Sequence, residues 1–365
     1  MRRPILTTLS LALLAILPAQ AAPSRELIYL NGLGGTWVVD SETFKVVQTV
    51  PTKGLSQGMT MSEDGKTLYI LTGQRELLEV VDRASGKLLD TLSFSDPGRT
   101  KARMYGILVL KDRLYAYLST TRFDGLETGK QDKFHLGQPE IVALDLKTKK
   151  KVGSLAMPLG ILNLQPIVGG TRFYAMGRDL YDIDAATLKV QKILPLDPPP
   201  MEGEGQIMIN AEWVHPETAA GMSGYPYYTT DPITKKTTTG LMTLDDQDGT
   251  IDHFEIGPPI NSQFGFSAAL TPDRKRAFMT MNKLLEIDMT KRRVTRVMDY
   301  GKTYYAVTMS SDGKHLYLSS SGANLTEVDS QTLKVTRELE LPAEVWDVTV
   351  LPAEGGPTGT EIQKP

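Results

Sequence analysis

The chain has 365 residues and carries 40 Lys and Arg against 43 Asp and Glu, which gives a formal net charge of -3. This mild acidity, without any basic tract, argues against nucleic acid as a partner. The sequence contains no Cys, which excludes a disulfide framework, a thiol nucleophile, Cys-ligated metal and haem attached through Cys on this chain.

The first 21 residues have the pattern of a secretory signal peptide. Two Arg at positions 2 and 3 precede an apolar run over 5–17, and the small residues Ala19 and Ala21 supply a cleavage site. We expect cleavage after Ala21 and export to the periplasm. The apolar run is too short for an ordinary membrane-spanning helix, so the sequence predicts no membrane span.

A repeat that ends in Asp runs through the rest of the chain. In each copy a short apolar strand ends in Asp and is followed by a turn residue and usually by Lys or Arg. The spacing of most copies is about 40 residues, which is typical of a β-propeller. Seven copies predict seven blades, and the Asp is interpreted as the cap of a turn. The marker Asp residues are Asp40, Asp82, Asp145, Asp184, Asp245, Asp288 and Asp329.

Alternation and turn signals divide each repeat into four strands, so the sequence predicts an all-β, seven-bladed propeller of four-stranded blades over 22–352. The first repeat offers strands at 27–30, 36–40 and 45–50 but none before them. The C-terminal segment 344–351 resembles the innermost strand of the other repeats. We expect it to complete the N-terminal blade and close the ring. Residues 353–365, rich in Gly, Pro and Thr, predict a disordered tail.

The antiparallel order of strands predicts that all long connections open on one face of the ring and the short turns on the other. Elaborated loops on one face of a rigid scaffold are the usual place for binding. The long connections are 94–103, 120–138, 196–205, 229–237 and 257–263.

Six aromatic residues stand near the loop-side starts of the inner strands. They are interpreted either as packing between blades or as an apolar wall for a ligand or a docked partner. The six candidates for a substrate pocket or partner surface are Tyr105, Phe264, Phe266, Tyr304, Tyr305 and Trp346. No catalytic constellation accompanies them, and the four His show no ligand-like spacing that would indicate a metal site.

Several motifs, taken in order, resemble the β subunit of quinohaemoprotein amine dehydrogenase, a propeller of the YVTN type. The similarity extends over most of the mature chain, from Leu27 to Leu351. The motifs are 177–180 (GRDL), 223–229 (SGYPYYT), 239–244 (TGLMTL), 276–278 (RAF), 304–305 (YY), 310–313 (SSDG) and 329–334 (DSQTLK).

This resemblance implies a periplasmic heterotrimer that oxidatively deaminates primary amines. In that family a small γ subunit contains cysteine tryptophylquinone and an α subunit holds two c-type haems. The β propeller carries neither cofactor, supports the other subunits and forms part of the substrate pocket. The resemblance therefore implies no cofactor on this chain, with the quinone and the haems on its partners.

Two alternatives remain open from the residues. One is a stand-alone propeller lactonase, which would need calcium held by inner-strand oxygens; Asn163, Gln165, Asn210 and Asp347 are the residues available for it. The other is a non-enzymatic YVTN-type module that binds a protein or an envelope component.

Overall fold

The fold was analysed in a computed structural model that describes residues 25–124, 133–197, 203, 205–211, 220–259, 265–354 and 356. Every regular element in these ranges is a β-strand, and none of them contains a helix long and apolar enough to cross a membrane. The predicted signal peptide (1–21), most of the predicted tail (353–365) and Phe264 lie outside the described residues.

The strands follow one another in groups along the chain. The first two are β1 (Glu26–Asp40) and β2 (Lys45–Leu55). The next four are β3 (Met59–Met61), β4 (Thr67–Thr72), β5 (Leu77–Asp82) and β6 (Leu88–Leu92). Five more are β7 (Thr100–Leu110), β8 (Arg113–Asp124), β9 (Lys133–Leu136), β10 (Glu140–Asp145) and β11 (Lys151–Ala156). They are followed by β12 (Asn163–Pro166), β13 (Arg172–Met176), β14 (Leu180–Asp184) and β15 (Lys189–Leu194).

The second half of the chain continues in the same way. One group is β16 (Ile207–Ile209), β17 (Met222–Thr230), β18 (Thr237–Asp245) and β19 (Ile251–Gly257). The next is β20 (Ser267–Leu270), β21 (Arg276–Thr280), β22 (Leu284–Asp288) and β23 (Arg293–Met298). The last strands are β24 (Tyr304–Met309), β25 (His315–Ser320), β26 (Asn324–Asp329), β27 (Val335–Glu340) and β28 (Val345–Pro352).

Each group forms an antiparallel sheet in which sequential strands are neighbours. Strands β3–β6, β12–β15 and β24–β27 make three such four-stranded sheets, and β7, β8, β10 and β11 make a fourth to which β9 adds along β8. Strands β16–β19 and β20–β23 are joined through a single residue pair, Gly224 and Ala268. This meander order confirms the all-β class and the four-stranded repeat unit.

The first sheet contains β2, β1 and β28, but β1 folds back on itself. Over fifteen residues an extended strand would be about 50 Å long, whereas Arg25 Nε lies 2.5 Å from Asp40 Oδ2. The backbone N–H of Ser41 donates to the carbonyl of Glu26 at 3.1 Å. The reversal falls at Gly34, which has a φ of 83°, a value that glycine adopts without strain. The two halves of β1, together with β2 and β28, therefore supply four strands, with β28 paired antiparallel to the first half.

The core consists of apolar residues packed between successive sheets. The described residues form seven such clusters, each drawn from two sheets that follow one another, and one of them joins the last sheet to the first. Tyr115 and Phe173, for example, pack across one junction with ring centroids 5.0 Å apart. Burying a large apolar side chain contributes about 1.5–3 kcal/mol, so these junctions dominate the stability of the protein.

The marker Asp residues cap the turns, as predicted. In each turn Asp Oδ1 accepts a hydrogen bond from a backbone N–H two or three residues later, for instance from Thr187 to Asp184 at 2.8 Å and from Thr332 to Asp329 at 2.7 Å. The residue four positions after the Asp then has a positive φ, as Leu188 (52°) and Leu333 (56°) show. Hydrogen bonds from the Thr187 hydroxyl and backbone N–H lower the pKa of the Asp184 carboxyl. These Asp residues serve the turn, which accounts for their repetition.

The two faces differ largely as the sequence predicts, with two corrections. The connection 210–221 between β16 and β17 opens on the face of the short turns, yet it is long, and its residues 212–219 lie outside the described residues. Parts of the predicted long loops are strands. Residues 100–103, 120–124, 229–230 and 237 belong to β7, β8, β17 and β18, and β9 lies within 120–138. We call the face of the marker turns the turn face and the opposite one the loop face.

Candidate functional site

Four of the five described candidate aromatics lie at the loop-face start of the first strand in their sheet, and β28 takes the place of a first strand in the sheet of β1 and β2; Tyr105 lies in the middle of β7. Tyr105 is in β7, Tyr304 and Tyr305 begin β24, Trp346 is the second residue of β28, and Phe266 directly precedes β20. These first strands contact one another, β20 with β24 and β24 with β28. The structure therefore brings the aromatics of three successive sheets to one place on the loop face.

Phe266, Tyr305 and Glu344 form the centre of this place. The Phe266 and Tyr305 rings lie 5.9 Å apart at 32°, and the Tyr305 hydroxyl donates to Glu344 Oε1 at 3.4 Å. Burial, followed by the nearby Glu344 carboxylate, raises the pKa of Tyr305, so the phenol stays a proton donor at neutral pH. We call Phe266, Tyr305, Glu344 and Trp346 the mouth cluster; it combines half-buried aromatic surface with one carboxylate.

A bulge places Tyr305 in this position. Tyr304 pairs with Ser320 and Ala306 with Ser319, so Tyr305 is an extra residue on its strand. Bulges redirect side chains and are frequent next to functional sites. Tyr304, its neighbour, lies instead within the core between two sheets, 1% exposed and edge-on to Tyr300 at 6.1 Å.

Trp346 fixes the mouth cluster to the first sheet. Its indole Nε1–H donates to the carbonyl of Ser56 at 2.7 Å, in the connection between β2 and β3. Gly32 passes so close to this region that a Cβ would lie 2.3 Å from the carbonyl oxygen of Glu344. The backbone around Glu344 is therefore closely held, and the carboxylate is presented from a rigid support.

Tyr105 occupies a matching bulge in another sheet, between Met104 and Gly106. The Arg75 guanidinium lies over its ring, 5.1 Å from the centroid. Arg75 follows Gly73 and Gln74, and all three have a positive φ, of 57°, 58° and 70° in chain order. A left-handed backbone costs about 1–2 kcal/mol for a non-glycine residue, and stored strain of this kind concentrates at functional sites.

Sequence reasoning did not find Arg75 or Glu344. Neither belongs to a motif, and the pattern Gly73-Gln74-Arg75 looks like an ordinary tight turn. Only Gly73 signals a positive φ, because Gln and Arg seldom adopt one. Both residues gain their significance from aromatic neighbours that are distant in sequence.

A cleft of about 490 Å³ lies beside β16, β17 and β19 and was also not predicted. Tyr227 extends across it, with its ring 6.1 Å from that of His253 at nearly a right angle. A Cβ on Gly240 would lie 2.0 Å from Tyr227 Cζ, so only glycine leaves room for the ring. Burial, then Glu255 and Asp252, raises the pKa of Tyr227. The residues lining the cleft are Pro195, Leu196, Gly203, Gly205, Ile207, Tyr227, Thr229, His253, Phe254 and Glu255.

Three of the four residues considered for a calcium site make side-chain hydrogen bonds within the protein. Asn163 donates to the carbonyl of Ala211 at 3.0 Å, and Gln165 donates to Ser223 Oγ at 2.8 Å. Asn31 donates to Asp347 Oδ2 at 2.8 Å. Within the described ranges no three His, Cys, Asp or Glu residues are placed to hold a metal ion together.

The sheet order, the junction clusters and the shared position of the first strands define a β-propeller. Solved structures are similar over most of the chain. Apo AztD from Citrobacter koseri has a TM-score of 0.56 at 13% identity and covers 90% of this chain and 98% of its own. Hydrazine synthase of Kuenenia stuttgartiensis has a TM-score of 0.57 at 14% identity, covering 85% and 90% respectively. Dihydro-haem d1 dehydrogenase NirN in complex with DHE has a TM-score of 0.56 at 15% identity, covering 94% and 79%.

At these identities the likeness establishes the fold alone. No family model matches the sequence. The uncharacterised protein YncE of Salmonella typhi and of Salmonella typhimurium is 31% identical over 83 residues, which is 22% of this chain and 23% of YncE. The matching segment thus spans about a quarter of the curated relatives.

Proposed function

We propose that the propeller has seven blades, that β28 closes the ring, and that the protein acts as a scaffold for other subunits. The seven junction clusters support the blade count, since one of them joins the last sheet to the first. Arg83 supports closure, because this 1% exposed residue of the second sheet donates to the carbonyls of Pro352 and Glu354 at the end of β28.

The assembly proposed is a periplasmic complex of the quinohaemoprotein amine dehydrogenase type. This chain would contribute the propeller subunit, with cysteine tryptophylquinone on a small γ subunit and two c-type haems on an α subunit. The single observation that carries the proposal is the mouth cluster. Aromatic rings beside the Glu344 carboxylate suit the wall of a pocket for a protonated amine, because cations are attracted both to ring faces and to carboxylates.

In this function the chain's own residues bind the amine and exclude water from the pocket. They carry out no bond-breaking step. Phe266 and Trp346 provide apolar surface, and the Tyr305 hydroxyl orients Glu344. A closed apolar wall strengthens electrostatic interactions inside a pocket by removing water. Propellers of this fold also occur in the hydrazine synthase and the dihydro-haem d1 dehydrogenase described above, which agrees with a redox setting.

Purification of the tagged protein from its native host tests the proposal. We expect a co-purifying chain with c-type haem absorbance, a small chain that gives a positive stain for quinone, and primary-amine oxidation by the pool. A tagged protein that elutes alone, without haem or quinone, would refute the redox assembly.

The short YncE match favours a second candidate, a YVTN-type module that binds a protein or an envelope component without redox cofactors. The same purification distinguishes the two. Here the co-purifying partner would lack haem and quinone absorbance, and no amine would be oxidised. No observation on the described residues favours the lactonase alternative.

A further inference from the structure

The cleft beside β16, β17 and β19 lies at the loop-face end of a junction between two sheets. Leu196 and Tyr227 belong to the apolar cluster that packs β12–β15 against β16–β19, and both residues line the cleft. Its volume of about 490 Å³ is within the range of small-molecule sites. None of the residues of the mouth cluster lines it, so the cleft is a separate place on the loop face.

Tyr227 supplies a buried polar group at the bottom of the cleft. The residue is 4% exposed, and its ring lies over Gly240, where a Cβ would be 2.3 Å from the hydroxyl oxygen. The hydroxyl makes no hydrogen bond with the described residues, yet it is open to the cleft. Buried hydroxyl groups are in the large majority hydrogen-bonded, so this one is available to a ligand.

The strand register places a carboxylate on the same side of the sheet as this hydroxyl. Tyr227 pairs with Gly240, and Gly240 pairs with Glu255; residues paired on antiparallel strands share a face. Burial and then the Glu255 carboxylate raise the pKa of Tyr227, which agrees with a short distance between the two groups. Glu255 is exposed at the rim of the cleft and has no ion pair or hydrogen bond among the described residues.

The charge that the cleft presents is negative. Its lining residues in the described part of the chain include no Lys or Arg. The charged groups that act on the Tyr227 phenol are Glu255 and Asp252, and Asp252 already pairs with Arg292 at 2.7 Å. With His253 neutral, the lining contains one carboxylate without a counter-charge. Such a carboxylate favours a cation as its ligand.

The remaining walls are apolar and are held in place by backbone hydrogen bonds. The N–H of Ile207 donates to the carbonyl of Leu196 at 2.7 Å, and the N–H of Gly203 donates to Asp231 Oδ2 at 2.8 Å. An apolar wall suits the body of an organic ligand better than it suits a hydrated metal ion. The apolar side chains of the lining are Pro195, Leu196, Ile207 and Phe254.

We propose that this cleft is a binding site for a small organic cation with an apolar body. The cationic group lies between the Tyr227 hydroxyl and the Glu255 carboxylate and donates hydrogen bonds to both, and the apolar body packs on Leu196 and Ile207. This inference goes beyond the proposed function, because it depends neither on partner subunits nor on amine oxidation.

The test uses the full mature chain and three probes of nearly the same shape that differ in charge, namely benzamidinium, benzamide and benzoate. Isothermal titration calorimetry at pH 8 should show one site for benzamidinium. Benzamide should bind about fivefold more weakly, and benzoate about tenfold or more, because the first lacks the charge and the second has the wrong sign. None of the probes is an alkylamine, so their binding does not report on amine turnover.

Two changes in the cleft should each weaken benzamidinium binding by about fivefold. Glu255→Gln removes the negative charge. Tyr227→Phe removes a hydroxyl that no described protein group uses, so it should leave the urea midpoint unchanged. Glu340→Gln alters an exposed carboxylate on the outer strand β27, is the matched control for Glu255→Gln and should change nothing.

A wild-type protein that does not bind benzamidinium, or binds benzamide equally well, would overturn the proposal. So would an affinity for benzamidinium that either change in the cleft leaves unaltered. Binding that Glu344→Gln abolishes and Glu255→Gln does not would locate the cation at the mouth cluster and would equally overturn it. The purification from the native host reports separately on the redox assembly, so failure of one idea is distinguishable from failure of the other.

Discussion

The turn face and the loop face use the same residue types for different purposes. On the turn face, each marker Asp accepts hydrogen bonds from its own turn, and Arg83 is buried against backbone carbonyls of the first sheet. On the loop face, Glu344 binds a tyrosine of another sheet and Arg75 lies over an aromatic ring at a strained backbone position. Polar groups thus stabilise the propeller on one face, and on the other they combine with half-buried aromatics that remain available for contact.

If the contacts on the turn face hold the propeller together, the largest loss of stability should follow removal of β28, the last strand of the chain. Truncation before Glu344 deletes Val345, Val348 and Leu351, which are at most 1% exposed, and leaves β1 with an unpaired edge. We expect a protein that aggregates on expression, because open edges template association. Solubility and circular dichroism measure this outcome, with truncation after Gly356 as the control. A folded, monomeric protein lacking β28 would show that the strand is dispensable.

The next largest effect should come from Arg83. Its Nε donates to Tyr29 Oη at 2.8 Å, and its other nitrogens donate to three carbonyls. Replacement by Met keeps the apolar stem and leaves these acceptors without a donor, at about 1–3 kcal/mol for each buried group that water does not reach. We expect Arg83→Met to lower the free energy of unfolding by about 3 kcal/mol. Urea denaturation measures it.

Lys87→Met is the control for this change, since Lys87 is exposed and follows in the same hairpin. Equal urea midpoints for the two variants would contradict the role of Arg83 in holding the end of β28. They would also weaken the case for ring closure at this junction.

A smaller effect, with a defined pH dependence, should come from a single turn cap. The Thr332 backbone N–H, then its hydroxyl, lowers the pKa of Asp329 below the ordinary 3.8. A carboxyl with a depressed folded pKa stabilises the protein above its unfolded pKa, and that stabilisation is lost as pH falls through the folded value. Asp329→Ala should therefore cost about 1 kcal/mol at pH 7 and show a smaller further loss than wild type between about pH 4 and pH 2. Parallel curves from urea denaturation across this pH range would contradict the cap.

The sequence was informative wherever a rule repeats. The marker turns predicted the strand order and the folding back of β1 as two strands, because both depend on local turn chemistry and alternation. The pairing of β28 with β1 followed from the strand that the first repeat lacks. The sequence was uninformative where the repeat is interrupted. Strand β9 lies in a segment that reads as a loop, and the positive φ of Gln74 and Arg75 has no compositional signal. The contact of Phe266 with Tyr305 depends on how two sheets pack, which no local pattern encodes.

The smallest effect on stability should come from the mouth cluster, and this result would sharpen the comparison most. Tyr305 and Phe266 are half-buried and contact each other outside the junction clusters. Each change to Ala should therefore lower the free energy of unfolding by less than about 1 kcal/mol. Tyr304→Ala is the matched control, because this adjacent tyrosine is buried in a junction and should lose about 3–5 kcal/mol, as large aromatic truncations do. The variants should rank in the reverse order when assembly with co-purifying chains is measured. Tyr305→Ala and Phe266→Ala should weaken assembly by more than their melting temperatures explain. An effect of these two changes confined to melting temperature would mean that the loop-face aromatics serve packing alone, and the two faces would then differ only in the length of their loops.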